Sequence, residues 1–139
     1  MLRDGYHSVP NGKLAMVVTQ LEMRARADTR PVPIPDSVAL RPLTDVTLDQ
    51  YRDIYRRVGE EWLWFSRLTM NDADLSAIIH EPKVQLFTLE HSGQTQALLE
   101  LDYRTDGECE LAFFGLTKEL IGTGSGRYLM NFAINTVWD

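Results

Sequence analysis

The chain has 139 residues, 44% hydrophobic and 24% charged, which is the balance of one ordinary globular domain and not of a disordered or membrane-spanning protein. A net charge of -6 sets the whole-molecule field against nucleic acid and anionic membranes, so a polyanionic partner would need a local basic patch. The best candidate patch, Arg52, Arg56 and Arg57, has Asp53, Glu60 and Glu61 beside it and reads as a solvated helix face.

In chain order, the first apolar, β-branched run is residues 14–23. It follows the turn Pro10-Asn11-Gly12 and predicts a strand, with a helix as the open alternative. Residues 24–36 place Pro31, Pro33 and Pro35 at alternate positions, which suits neither a helix nor a central strand and predicts an extended linker. Residues 1–36 are therefore expected to be an N-terminal extension and residues 37–139 the folded domain. Val38 and Leu40 alternate with polar neighbours in a short first strand over residues 37–43. Thr47 then caps a helix whose apolar positions Leu48, Tyr51, Ile54, Tyr55 and Val58 recur at helical spacing up to Gly59. After the aromatic stretch Trp62-Leu63-Trp64-Phe65, a second helix begins near Asn71 or Asp72 and stops before Pro82.

From Val84 the period changes to that of strands. Val84, Leu86 and Leu89 lead through His91-Ser92-Gly93, a hairpin turn, to Ala97, Leu99, Leu101 and Tyr103 at alternate positions. A further turn at Thr105-Asp106-Gly107 precedes a third, largely buried strand over residues 110–116, and the last helix spans residues 127–137 with Leu129, Met130, Ala133 and Val137 on its apolar side. This order predicts an α/β (α+β) domain with a mixed, mostly antiparallel sheet flanked by helices. The single cysteine, Cys109, excludes an intramolecular disulfide. No Cys/His cluster has metal-ligand spacing, and no run has the length of a signal peptide or a membrane span. A cytoplasmic protein without a metal is the expectation.

Between the third strand and the last helix lies Ile121-Gly122-Thr123-Gly124-Ser125-Gly126-Arg127. A strand that ends in a glycine-rich turn opening a helix is suited to phosphate. The first-turn amides lack intrahelical acceptors, the helix dipole is positive there, and glycines let an anion approach the backbone. Ser125 adds a hydroxyl donor and Arg127 a cation. A turn with no ligand is the plainer alternative. The spacing is not the dinucleotide fingerprint, whose final x-x-G is missing, and it is not a P-loop, because Arg127 and Tyr128 stand where lysine and Ser/Thr are required.

Residues 121–126 resemble the Q/R-x-x-G-x-G/A signature of the GNAT superfamily of N-acetyltransferases, and Tyr128-Leu129-Met130-Asn131 continues it as that family's following helix does. The likeness extends over residues 38–139 in the order of elements, with Ile121 departing from the family's Gln or Arg. The resemblance implies acetyl-CoA as co-substrate, its pyrophosphate on the amides of Ile121, Gly122, Thr123, Gly124, Ser125, Gly126 and Arg127. The pantetheine arm would lie along Phe114, Gly115 and Leu116, with the amide of Phe114 or Leu116 polarising the thioester carbonyl. It also places Glu110 where one branch of the family keeps a general base for a primary amine acceptor. A non-catalytic acyl-CoA-binding or interaction module and an inactive fragment of such a domain are the alternatives.

Glu100, Glu108 and Glu110 also fit solvent-face residues of a meander sheet, and His80 and His91 fit solvation at a helix end and a turn. Trp62, Trp64 and Phe65 suit either the wall of an acceptor cleft or the core, and Cys109 suits a small buried hydrophobe. Relative to the family, the sequence stops directly after the pyrophosphate-binding helix. The resemblance thus implies an incomplete domain with an open edge on the strand of residues 110–116, an exposed underside of the last helix at Leu129, Met130 and Ala133, and association with a copy of itself or another chain.

Overall fold

The computed structural model describes residues 3–139, and residues 3–36 form neither helix nor strand. The strand expected over residues 14–23 is therefore not formed. Leu14, Val17 and Leu21 are 79%, 95% and 90% exposed, so the run has β-prone side chains but no second strand to take its amides. The proline-rich stretch likewise forms neither helix nor strand.

The ordered domain begins with β1 (Val38–Pro42), and Thr47 then starts α1 (Leu48–Gly59). The start is a reciprocal cap: Thr47 Oγ1 accepts from the Gln50 amide at 3.2 Å while Gln50 Oε1 accepts from the Thr47 amide at 2.9 Å. Tyr51, Ile54, Tyr55 and Val58 face inward at the helical spacing read from the sequence. A single helical turn over residues 60–62 leads into α2 (Ser66–Thr69), a short helix that the aromatic stretch had masked, and then α3 (Asp72–Ile79) with Asn71 as its side-chain cap.

Four strands complete the sheet: β2 (Val84–His91), the stub β3 (Gln94–Thr95), β4 (Ala97–Asp102) and β5 (Glu110–Leu116). The main order is β1-β2-β4-β5, with β3 paired to β2, and every pairing among the described residues is antiparallel. Ser92 and Gly93 both have positive φ, 51° and 74°, which matches the hairpin turn expected there. All six residues of β4 are buried, because it is central and covered on both faces. On one face Leu86 and Leu98 pack beneath α1 and α3. On the other, Leu99 and Leu101 pack beneath α4 (Ser125–Trp138). The fold class is thus the α+β class expected, and no helix among the described residues is long and apolar enough to cross a membrane.

Two expectations for the C-terminal part are corrected. Leu129 and Ala133 are 0% and 3% exposed, because the underside of α4 lies on β4 instead of facing solvent. β5 is half-buried rather than largely buried, with Leu111 42% exposed, because it is an edge strand.

The fit between α1 and β5 depends on two glycines at close approach. A Cβ built on Gly115 would lie 2.4 Å from Val58 Cγ1, and one on Gly59 would lie 2.4 Å from the Trp64 ring. Trp64 also meets Tyr55 and Phe113 at ring-centroid distances of 5.3 and 5.1 Å. Gly115→Ala should therefore destabilise the protein by about 1–3 kcal/mol through overpacking. An unchanged urea midpoint in this variant would show that the interface yields freely.

Candidate functional site

β5 runs out through Thr117 and a short turn over residues 118–120 into the glycine-rich loop, and α4 starts at Ser125. Gly122 and Gly124 have φ of 83° and 88°, a region in which a side chain would be strained, so these two glycines set the path of the loop. Thr123 Oγ1 donates to the Leu120 carbonyl at 2.8 Å and lies 2.7 Å from Ser125 Oγ, which is fully buried. The hydroxyl of Ser125 is therefore used to brace the loop from inside. Gly124 is the N-cap and has no side chain to satisfy the helix.

The amides of Gly122, Gly124, Gly126 and Arg127 find no acceptor among the described residues. No acidic residue stands in the first turn of α4. Arg127 is exposed at the same end. The loop thus presents free donors, a helix dipole and one cation.

Next to the loop, the Thr117 amide donates to the Gln96 carbonyl at 2.9 Å, toward β4. Strand alternation then turns the amides of Leu116 and Phe114 the other way, to the open edge, whereas that of Gly115 points to β4. The pairing of β4 with β5 shifts register between Glu100 and Leu101, opposite Phe113 and Leu111, so Ala112 is an extra residue in β5 and marks a bulge. Glu110 is the exposed first residue of β5, opposite Asp102, at the far end of the strand from the loop. Glu108 is likewise exposed.

A proline-rich strap lies along α4. Arg26 donates to Asp139 Oδ1 at 2.6 Å and to Asn135 Oδ1 at 3.0 Å, and Asn131 Nδ2 donates to the Arg30 carbonyl at 2.7 Å. Val32 Cγ2 comes within 3.7 Å of a Cβ built on Gly124. Thr29, Val32 and Pro35 are the less exposed residues of this stretch, at a spacing of three.

One polar cluster was not legible as such in the sequence. Glu100, expected on a solvent face, is 0% exposed. Arg67 Nη2 donates to Glu100 Oε1 at 2.6 Å, and Tyr51 Oη donates to Glu100 Oε2 at 2.5 Å. The guanidinium also lies 5.1 Å from the Phe113 ring centroid, and Arg67 Nε is buried without a partner among the described residues. Burial opposes the Arg67 charge, but Glu100 outweighs it and holds the guanidinium above its ordinary range. Burial first, and then the Glu100 carboxylate, push the Tyr51 phenol well above its own. The usable signal was an acid inside Leu98-Leu99-Glu100-Leu101, which requires a cationic partner if the strand is central.

Tyr103 is also pushed up, to about 12, by burial and by Cys109, while burial raises the Cys109 thiol. Both phenols have folded values above the 10.0 of an ordinary tyrosine, so their stabilisation is complete below pH 10.0 and declines above it, through about 12 for Tyr103. Unfolding free energy should fall over that alkaline window, and Tyr51→Phe should flatten the fall. Denaturant titrations at stepped pH, with phenolate absorbance, check this; a flat profile across the window would contradict it.

The remaining candidates are structural or surface groups. Trp64 is packed against α1 and β5, whereas Trp62 and Phe65 are 67% and 62% exposed. His80 Nε2 lies 3.1 Å from the Val46 carbonyl and Nδ1 3.0 Å from that of Ser76. A cleft of about 330 Å³ between the end of α1 and the exit of β5 includes Arg57 and Lys118, which are paired with Asp53 and Glu61 at 2.8 and 2.5 Å. No group of three or more His, Cys, Asp or Glu is placed to hold a metal among the described residues. A scan against models of known protein families finds no match to this chain, and a search of curated proteins finds no relative.

Proposed function

We propose that the loop of residues 121–127 binds the pyrophosphate of acetyl-CoA and that the protein is an N-acetyltransferase acting on a primary amine. The observation that carries this reading is the set of free amides at Gly122, Gly124, Gly126 and Arg127 on a loop that has no acidic residue in the following turn. Ile121, Thr123 and Ser125 complete the loop, with Thr123 and Ser125 bracing its shape. The edge along Phe114, Gly115 and Leu116 takes the pantetheine arm, because the outward amides of Phe114 and Leu116 lack a strand partner. One of these two amides polarises the thioester carbonyl, and Glu110 accepts a proton from the substrate ammonium. The amine nitrogen then attacks the carbonyl carbon, and the tetrahedral intermediate collapses to the amide as it expels the CoA thiolate, which takes up the proton that the nitrogen loses.

Isothermal titration with acetyl-CoA tests the binding step, and release of free thiol in the presence of an amine panel tests the transfer. Thiol release above the hydrolysis rate, lost in Glu110→Gln with acetyl-CoA binding intact, is the expected result. Binding without transfer to any amine would leave a non-catalytic acyl-CoA-binding module, and no binding would remove the proposal.

A further inference from the structure

Two parts of this chain each lack what the other has. β5 is the edge strand after β4 in the sheet order, and beyond Glu110 its sequence Leu111-Ala112-Phe113-Phe114-Gly115-Leu116 contains none of the lysine, proline or inward charge that usually protects an edge. The run of residues 14–23 contains Val17, Val18 and Thr19 in succession and a single charged residue, Glu22. Its Met16, Val17, Val18 and Leu21 side chains are 70%, 95%, 69% and 90% exposed. This is the composition of a strand, without a strand's partner.

We infer that the open edge of β5 is a docking site for residues 14–23 of a second copy of this chain. Each copy has the unprotected edge of β5, whereas the opposite edge strand β1 carries Arg41 and Pro42, and one free strand-forming segment, so a reciprocal exchange satisfies both at once and closes at a dimer. Within a single chain the strap holds the segment's base at the far end of α4, through Arg26 on Asn135 and Asp139, and the segment is unpaired with its own edge. The outward amides of Phe114 and Leu116 donate to main-chain carbonyls of the incoming strand, and its apolar side chains cover Leu111 and the half-buried flank of β5. The exchange stands independently of the proposed acetyl-CoA site. Where both hold, they share the edge, and the dimer is the ligand-free form.

Sedimentation of the full chain at micromolar concentration without ligand tests the exchange. A discrete dimer is expected. Val18→Pro, which removes an amide and bars a central strand position, should shift it to monomer by at least tenfold in dissociation constant. Trp62→Ser, on the exposed aromatic turn, should leave the dimer unchanged. The segment makes no core contact, so Val18→Pro leaves the domain folded, as its far-ultraviolet dichroism should show. A wild-type monomer overturns the inference, as does a dimer insensitive to Val18→Pro or abolished by Trp62→Ser. Open-ended polymers overturn it too. Amide protection over residues 14–23 in a monomer would instead place the segment on its own edge.

Discussion

Arg67→Ala should lower the unfolding free energy by about 3–5 kcal/mol, because it leaves the Glu100 carboxylate buried without its cation. Arg67 is 8% exposed and Glu100 0%, so water cannot take the place of the lost partner without opening the core between α2 and β4. Typical domains of this size are stable by only about 5–15 kcal/mol, so the variant sits near the limit of folding at ambient temperature. Removing both charges together, as Arg67→Met with Glu100→Leu, should recover most of that loss, since the pair repays its desolvation only in part. Tyr51→Phe should cost less, about 1.5–3 kcal/mol, as one hydrogen bond to a charged group is lost. Urea unfolding of the three variants beside the wild type measures these differences. A loss below about 1 kcal/mol for Arg67→Ala, the size of an exposed pair, would mean that the site admits water.

Gly126→Asp should weaken acetyl-CoA binding by well over tenfold while leaving the fold intact. Gly126 lies in the first turn of α4, and its amide finds no acceptor among the described residues. An aspartate there opposes the pyrophosphate charge directly, although a carboxylate at a helix N-terminus is itself favourable to the helix. Space is tight but adjustable, because the added Cβ meets only the flexible end of Leu116 at 3.1 Å. Gly124 is the poorer test, since its φ of 88° would strain any side chain and confound binding with stability. Titration calorimetry beside a melting curve separates the two effects. Equal affinity in a folded Gly126→Asp protein would move the ligand away from this loop.

The elements defined by local chemistry were legible in residue order. The Thr47 cap, the helix start at Asn71 or Asp72, the turn at Ser92-Gly93 and the period of α1 each depend on contacts within a few residues, so composition and spacing suffice to specify them. The glycine loop between β5 and α4 was legible for the same reason, because positive φ at Gly122 and Gly124 is a property of those residues themselves.

What depended on distant partners was not legible. Residues 14–23 have the propensity of a strand but form none here, because a strand's stability lies in the neighbour that takes its hydrogen bonds. Leu129 and Ala133 were expected on an uncovered face, and the packing of α4 on β4 decided for burial. Glu100 was decided in the same way. Local alternation allows an acid on either face of a strand, and only the approach of Arg67 and Tyr51, 33 and 49 residues away in the chain, made a buried carboxylate tolerable at the centre of the sheet.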